Sequence, residues 1–583
     1  MKGGIIIKTI KNIKKMLKYG KGKNKYFLIG ILIYFFFAVV NVVIPILQAQ
    51  ELVAITDNLY KKFMIYVIIV SGVIIISNIL DIIFYMSMRY WAKYCARNLK
   101  YDLLQKVSLI KNSTLNKTST GSIIQRVTND CNDAFNNLWD IANQVKDIVT
   151  VVSALITVIC IKFTIGLMFI AVTLVILSIK YYRLKYRHKQ SKINREKSEK
   201  AISSISEYVR GIRDIKLLGN NNRFLEYTSR SIRDYDESQT RMQNKLTILD
   251  SISNIIFNLF IVLFCYVSVI YIKNASLTVA GFIVIYSYRF RIVYGFDSLT
   301  RIGDFIVSFN LNTERVMNIL EGDSYPKETF GSKKVKKLSG KFEFKNVTFH
   351  YDDDKPIIKD MNFTINAKTT VGIVGKSGSG KTTIFHLLAK LFEVDKGEIL
   401  LDDINVNELD KSSIRGNITM INQTPYIFNL SMMDNLKFAN SKATEEEIKK
   451  ACKMACLDEF IESLPDKYNT IVGENGITLS GGEKQRLAIA RALVQNTEII
   501  FFDEATSALD NETQNKIQKA IDNMKRKYTI LIIAHRFSTV LNCDKILYLE
   551  KGVIKGEGTH EELLKTCLGY KKLYELELKK SNE

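Results

Sequence analysis

Proline is nearly absent, with 5 in 583 residues. Helices can therefore run long distances, because proline is the residue that most reliably breaks them. Nearly half of the residues are apolar, which excludes a disordered chain and suits helices buried in lipid. The eight cysteines are scattered, with Cys160 and Cys265 inside apolar runs. They form no disulfide framework, as in a reducing, cytoplasm-facing protein. Cys452 and Cys456 would share a helix face in "EEEIKKACKMACLDEF", but no second pair of ligands lies nearby, so packing is expected and metal binding is not. Acidic residues are missing from positions 1 to 25, which hold nine lysines.

The length suggests two to four domains. A formal charge of +23 would suggest nucleic acid if it covered a soluble surface. It does not. Residues 341–583 hold 34 Lys and Arg against 36 Asp and Glu, and residues 1–340 hold 48 against 23. The excess lies in the half with the long apolar runs, as the positive-inside bias of cytoplasmic loops requires, and no nucleic-acid partner is expected.

Residues 1–25 place Ile6, Ile10, Ile13 and Leu17 on one helical face and most lysines elsewhere, the pattern of an amphipathic helix on a membrane surface. Apolar runs at about 26–48, 63–88, 147–161, 163–180, 250–272 and 279–297 give six spans in a segment 26–322, since about twenty residues cross the hydrocarbon. The third and fourth are fused at Lys162 and must form a tight hairpin. The lysine-rich start keeps the N-terminus in the cytoplasm. The inner connections 89–146 and 181–249 are long, charged and helix-rich, and residues 323–340 read as a flexible basic linker.

From 341 the pattern changes to short β-rich runs alternating with helices, an α/β domain over 341–583. "VGIVGKSGSGKTT" is a strand, a glycine loop and a helix start. Gly375, Ser377, Gly378, Ser379 and Gly380 curl the backbone around phosphate oxygens, Lys381 reaches the β and γ phosphates, and Thr382, followed by Thr383, can hold Mg²⁺. "IIFFDEATSALD" ends a strand in Asp503, suited to the Mg²⁺ shell, and Glu504, suited to polarising an attacking water. "YTILIIAHR" ends in His535, able to bond a terminal phosphate. All three groups stand where strands finish, which is where open α/β sheets put their ligands.

In this order the motifs resemble those of the ABC transporter family, and more closely its exporters with six membrane helices and one ATPase domain per chain. Tyr351 in "FHYDDD" matches the aromatic that stacks on adenine, "GKSGSGKTT" the Walker A loop, Gln423 the Q-loop, which also reaches Mg²⁺, and "LSGGE" with Ser480, Gly481 and Gly482 the signature. Asp503 and Glu504 match Walker B, Asp510 in "SALD" the D-loop, and His535 the switch histidine. "TGSIIQRVTND" at 120–130 and "EYVRGIRDIKLLG" at 207–219 resemble the two cytoplasmic coupling loops. Glu483 stands where many relatives have glutamine, and Phe537 where leucine is frequent.

The resemblance implies an all-α membrane domain joined to a P-loop ATPase domain, with ATP and Mg²⁺ as ligands. It further implies that the signature of one subunit closes over ATP held by the Walker loop of another, so the two glycine stretches serve different nucleotides. With Glu504, His535 and the signature intact, two copies build two hydrolytic sites. A homodimer is expected, a homologous half-transporter being the alternative partner. The expected activity is ATP-driven export of a lipid, drug-like or peptide substrate across a bacterial plasma membrane, with the ATPase domain cytoplasmic. An ATPase-gated sensor that moves no cargo is the alternative. Arg289 and Arg291 fall within the sixth span, where ionisable groups face a bundle interior or a cavity. They either contact an anionic substrate or pair with Asp81 or Asp297 to hold helices together.

Overall fold

The computed structural model describes the chain except Met1, Asn220, residues 352–354, Glu474, Asn475, residues 504–510, His535 and Glu583, and leaves aside the side chains at 2–6, 35, 38, 41, 221, 290, 294, 511, 513 and 579–582. The chain divides into two units. The first holds Met1–Ser108 and Thr118–Tyr325, the second Leu109–Lys117 and Pro326–Glu583.

The first unit is helical. In chain order its helices are α1 (Lys2–Leu17), α2 (Asn24–Thr56) and α3 (Tyr60–Val107). After α4 (Asn112–Lys117), which belongs to the second unit, come α5 (Thr120–Gln125), α6 (Cys131–Ile161), α7 (Phe163–Arg210), α8 (Ile212–Leu217), α9 (Asn221–Lys273), α10 (Val279–Ser287) and α11 (Arg289–Glu321). Five described segments are long and apolar enough to cross a membrane, and α2 contributes the apolar stretches Asn24–Tyr34 and Val42–Thr56. Only extended Lys162 separates α6 from α7, the tight hairpin that the sequence requires. At 48 residues each, α3 and α7 measure about 70 Å at 1.5 Å per residue, twice the hydrocarbon thickness. They therefore continue well beyond the apolar runs.

Few turns break these helices, and one that does is supported. Pro45 lies inside α2, where it cannot donate to the preceding turn. Tyr288, fully buried at the junction of α10 and α11, donates its hydroxyl to Val42 O at 2.9 Å. The bond ties α2, beside its proline, to the junction of α10 and α11.

In the second unit a six-stranded sheet runs in the spatial order Val553–Gly558, Lys545–Glu550, Thr370–Gly375, Thr529–Ile533, Ile499–Asp503, Ile418–Ile421. Four of its five pairings are parallel, the exception being that of Val553–Gly558 with Lys545–Glu550. Parallel strands covered on both faces read as continuous apolar runs, and the residues sort accordingly. Ile500, Phe502, Ile530 and Ile532 pack into one core, whereas Ile499, Phe501, Leu531 and Ile533 pack into another. A smaller antiparallel sheet, built on Phe342–Phe349 between Ile358–Ile365 and Lys396–Leu401, closes the second core with Phe342 and Phe344.

Leu109–Lys117 joins this unit through its backbone. Lys111 N donates to Pro326 O at 2.9 Å and Glu328 N to Leu109 O at 2.8 Å. This is the stretch just before 120–130, which forms α5 and a π turn, Arg126–Asp130, in the first unit.

Candidate functional site

The site grows from one edge of the parallel sheet. Ile533 pairs with Ile373 on one side and with Asp503 on the other, and Ile421 pairs with Phe502. The chain leaving Thr370–Gly375, Asp503 itself and Gln423 therefore emerge at the same end.

The loop 375–380 turns there into α12 (Lys381–Leu388). Gly378 and Gly380 have φ of +76° and +101°, values that side chains other than glycine rarely adopt. Gly380 is the N-cap of α12, so the first amides of the helix open onto the loop. Lys381 is 5% exposed, and its ammonium donates to the carbonyls of Gly375 and Lys376 at 2.9 and 3.1 Å. Ser379 Oγ is buried without a hydrogen-bond partner among the described residues. Phe385 stacks on Phe501, centroids 4.9 Å apart, and fixes α12 to the strand that carries Asp503.

Thr382 Oγ1 donates to Asp503 Oδ1 at 3.3 Å. A hydroxyl and a carboxylate side by side are hard oxygen donors suited to Mg²⁺ beside phosphates, and Gln423 follows the neighbouring strand at the same end of the sheet. The orphaned Ser379 hydroxyl and the amides of α12 suit the phosphates themselves. Tyr351 stands on the flank of α12, 39% exposed, with its hydroxyl 3.3 Å from Thr383 Oγ1.

Ser480 caps the helix Gly481–Gln495 in a reciprocal box. Ser480 Oγ accepts from Glu483 N at 3.3 Å, and Ser480 N donates to Glu483 Oε2 at 2.7 Å. Glutamate in place of glutamine thus has a structural use, since either closes the box. Ser480 and Gly481 are exposed and Gly482 is buried. Among the described residues the hydrogen bonds of Ser480 stay within its own helix start, whereas Thr382, next to Lys381, bonds Asp503.

The domain that surrounds these loops carries the deciding match. The family described as "ABC transporter" matches residues 358–507, and the "ABC transporter transmembrane region" matches residues 27–295. The chain belongs to the ABC transporter family. It is similar to an ATP-dependent lipid A-core flippase of Pasteurella multocida, 38% identical over 342 residues, 57% of this chain and 58% of that one. It is also similar to the "Iron-sulfur clusters transporter ATM1, mitochondrial" of Yarrowia lipolytica, 32% identical over 394 residues, 68% of this chain and 55% of that one. The matched part spans little more than half the length of these curated relatives. A bacterial Atm1-family ABC exporter solved with ATP bound shares the fold, with a TM-score of 0.82 at 23% identity over 95% of this chain and 98% of that one.

Within this ABC transporter chain, Glu504, Asp510 and His535 lie outside the described residues. In the membrane unit Arg289 lies over the Tyr286 ring at 3.7 Å and donates to Tyr286 O at 3.0 Å, while Arg291 Nη1 is buried without a hydrogen-bond partner among the described residues. Asp81 faces Lys146 at 3.7 Å and Asp297 faces Lys180 at 3.0 Å. Sequence reasoning missed Gln485, whose amide donates to Gln423 O at 3.2 Å and ties the signature helix to the Q-loop. Its place five residues after Ser480, on the buried face of that helix, was the available signal.

Proposed function

We propose that this chain is one half of an ATP-driven exporter, which works as a homodimer and moves a lipid, drug-like or peptide substrate outward by alternating access. The observation that carries this reading is the split between the two glycine stretches. One unit offers a formed phosphate loop beside Thr382 and Asp503, together with an exposed helix start at Ser480 whose hydrogen bonds do not involve that loop. A second copy completes each site with its own Ser480, Gly481 and Gly482. A helix N-terminus presented across an interface attracts the terminal phosphate of an intact triphosphate, and cleavage weakens that attraction.

In this reading Tyr351 stacks on the base, and Lys381 with the amides of α12 holds the β and γ phosphates. Thr382, Asp503 and Gln423 hold Mg²⁺, which when bound neutralises phosphate charge. Glu504 accepts the proton of the attacking water, His535 bonds the terminal phosphate, and Asp510 faces the other copy. The N-terminal 25 residues lie along the inner surface of a bacterial plasma membrane, residues 26–322 form the pathway, 323–340 act as linker and 341–583 form the cytoplasmic motor. Arg289 and Arg291 are the proposed contacts for an anionic headgroup or carboxylate. The exposed pair Leu217 and Leu218, 85% and 77% exposed at the end of α8, needs cover, and the second copy is the proposed source.

The test is reconstitution in vesicles with fluorescent lipid, dye or peptide cargo. ATP-dependent accumulation against a gradient, abolished by Glu504→Gln, is expected. ATP hydrolysis without movement of any cargo would favour a sensor instead.

A further inference from the structure

Tyr351 is held more firmly than a surface aromatic needs to be. The Phe349 and Phe392 rings meet it edge-on, with centroids 4.9 and 5.0 Å away and interplanar angles of 86° and 89°. Its hydroxyl lies 3.0 Å from His386 Nδ1, in addition to the 3.3 Å contact with Thr383 Oγ1. A phenol oxygen has one proton to give and lone pairs to accept with, so it can serve both contacts at once.

Thr383 and His386 are three residues apart on α12 and so share a face. The same helix starts at Gly380 and carries Lys381 and Thr382. One rigid element therefore fixes both the phosphate loop and the far end of the Tyr351 side chain. The His386 ring rests against Phe392, centroids 5.6 Å apart. Burial pushes its imidazole below the ordinary histidine value, which keeps it neutral near pH 7; because the phenol gives its proton to Thr383 Oγ1, the complementary tautomer carries its proton on Nδ1 and donates to the phenol oxygen.

We propose that His386 is a positioning residue for base selection: by holding the Tyr351 hydroxyl it sets the plane of that ring relative to the phosphate loop, so that the site favours purine over pyrimidine triphosphates. The proposal rests on Tyr351 being the base-stacking ring. Two fused rings cover more of a phenol face than one does, but only if the face stays parallel to them. A ring free to turn adapts to either base and pays an ordering cost with both. Fixing it in advance rewards the larger base.

The test is steady-state ATPase of the full chain in lipid, with ATP and with CTP. His386→Ala should raise KM for ATP by about 2- to 10-fold, the loss of one hydrogen bond, with kcat unchanged and a smaller effect on CTP. The ATP to CTP ratio of kcat/KM should narrow accordingly. Asn at this position offers an amide N–H in place of the ring N–H, so His386→Asn should restore most of the ratio. Tyr351→Phe deletes the hydroxyl and with it the contacts to both His386 and Thr383, so it should narrow the ratio at least as much as His386→Ala. The double variant should be no worse than Tyr351→Phe alone, because that variant already lacks the bond to His386. Additive losses, an unchanged ratio, or a fall in kcat in place of a rise in KM would overturn the role of His386. Tyr351→Ala separates the two layers. If it leaves ATP binding unchanged, the base-stacking assignment fails and the proposal with it. If it loses binding while His386→Ala does not, only the proposal fails.

Discussion

At the scale of single residues, the buried side chain of Lys381 is the one on which the proposed nucleotide site leans most. Lys381 as a residue is 5% exposed and its ammonium is held by two loop carbonyls, neutral acceptors that do not themselves balance its charge and so favour an anion beside it. Lys381→Ala should therefore abolish the thermal shift that ATP produces in the wild-type protein, while the melting temperature without nucleotide changes little. An undiminished ATP shift would remove Lys381 from the site. Arg491 makes a different argument. Its guanidinium donates to Asn435 O at 3.0 Å and Tyr426 O at 2.7 Å, also reaches Asn435 Oδ1, and lies over the Phe428 ring. Burial pushes it down to about 10, which still leaves it charged at neutral pH. Lysine cannot reproduce that fork, so Arg491→Lys should lower the melting temperature by several degrees, consistent with about 1–3 kcal/mol of lost charged hydrogen bonds. A melting curve identical to wild type would refute this. Lys381 was legible because a local spacing announces it. Arg491 was not, because it acts through backbone carbonyls 56 and 65 residues away that carry no side-chain signature.

At the scale of elements, α7, α9 and α11 meet through charge. Lys180, 4% exposed, bonds Asp250 at 2.7 Å and Asp297 at 3.0 Å. Arg183 bonds Asp250 at 2.9 Å and lies 3.8 Å from Asp304, which Arg187 also contacts. Three cations and three acids balance, as groups near the end of a span must. Removing Lys180 leaves two carboxylates facing each other without their shared cation, a loss of about 3 kcal/mol at the low end for buried pairs, since a third of each acid stays exposed. Lys180→Met should thus destabilise the protein in detergent, and Lys180→Met with Asp250→Asn and Asp297→Asn should recover much of the loss. A triple variant as unstable as the single one would show that packing, not charge, was removed. The spans themselves could be read from run length and from the single residue between α6 and α7. The network could not, because its partners lie 70 and 117 residues apart and hydropathy does not say which helices are neighbours. Asp297 illustrates this. The sequence leaves pairing with Arg289 or Arg291 open as one alternative for it, whereas the fold gives it to a lysine from another helix.

At the scale of the whole molecule, the placement of Ser480 has a consequence that mixing experiments can read. A chain carrying Lys381→Ala keeps a working signature but has no working loop, and a chain carrying Ser480→Arg keeps the loop but puts a bulky cation at the helix start. Neither variant alone can form a complete site, whichever way the chain assembles. If each site takes its loop from one copy and its signature from the other, a mixed dimer regains one complete site, from the loop of the Ser480→Arg chain and the signature of the Lys381→Ala chain. Random pairing of equal amounts makes half of the dimers mixed with one site of two restored, so about a quarter of wild-type ATPase activity should return on co-reconstitution. If loop and signature instead served one nucleotide within a single chain, no combination would place an intact loop and an intact signature together. The mixture would then hydrolyse no more ATP than the two variants measured separately, and the homodimeric mechanism would be wrong.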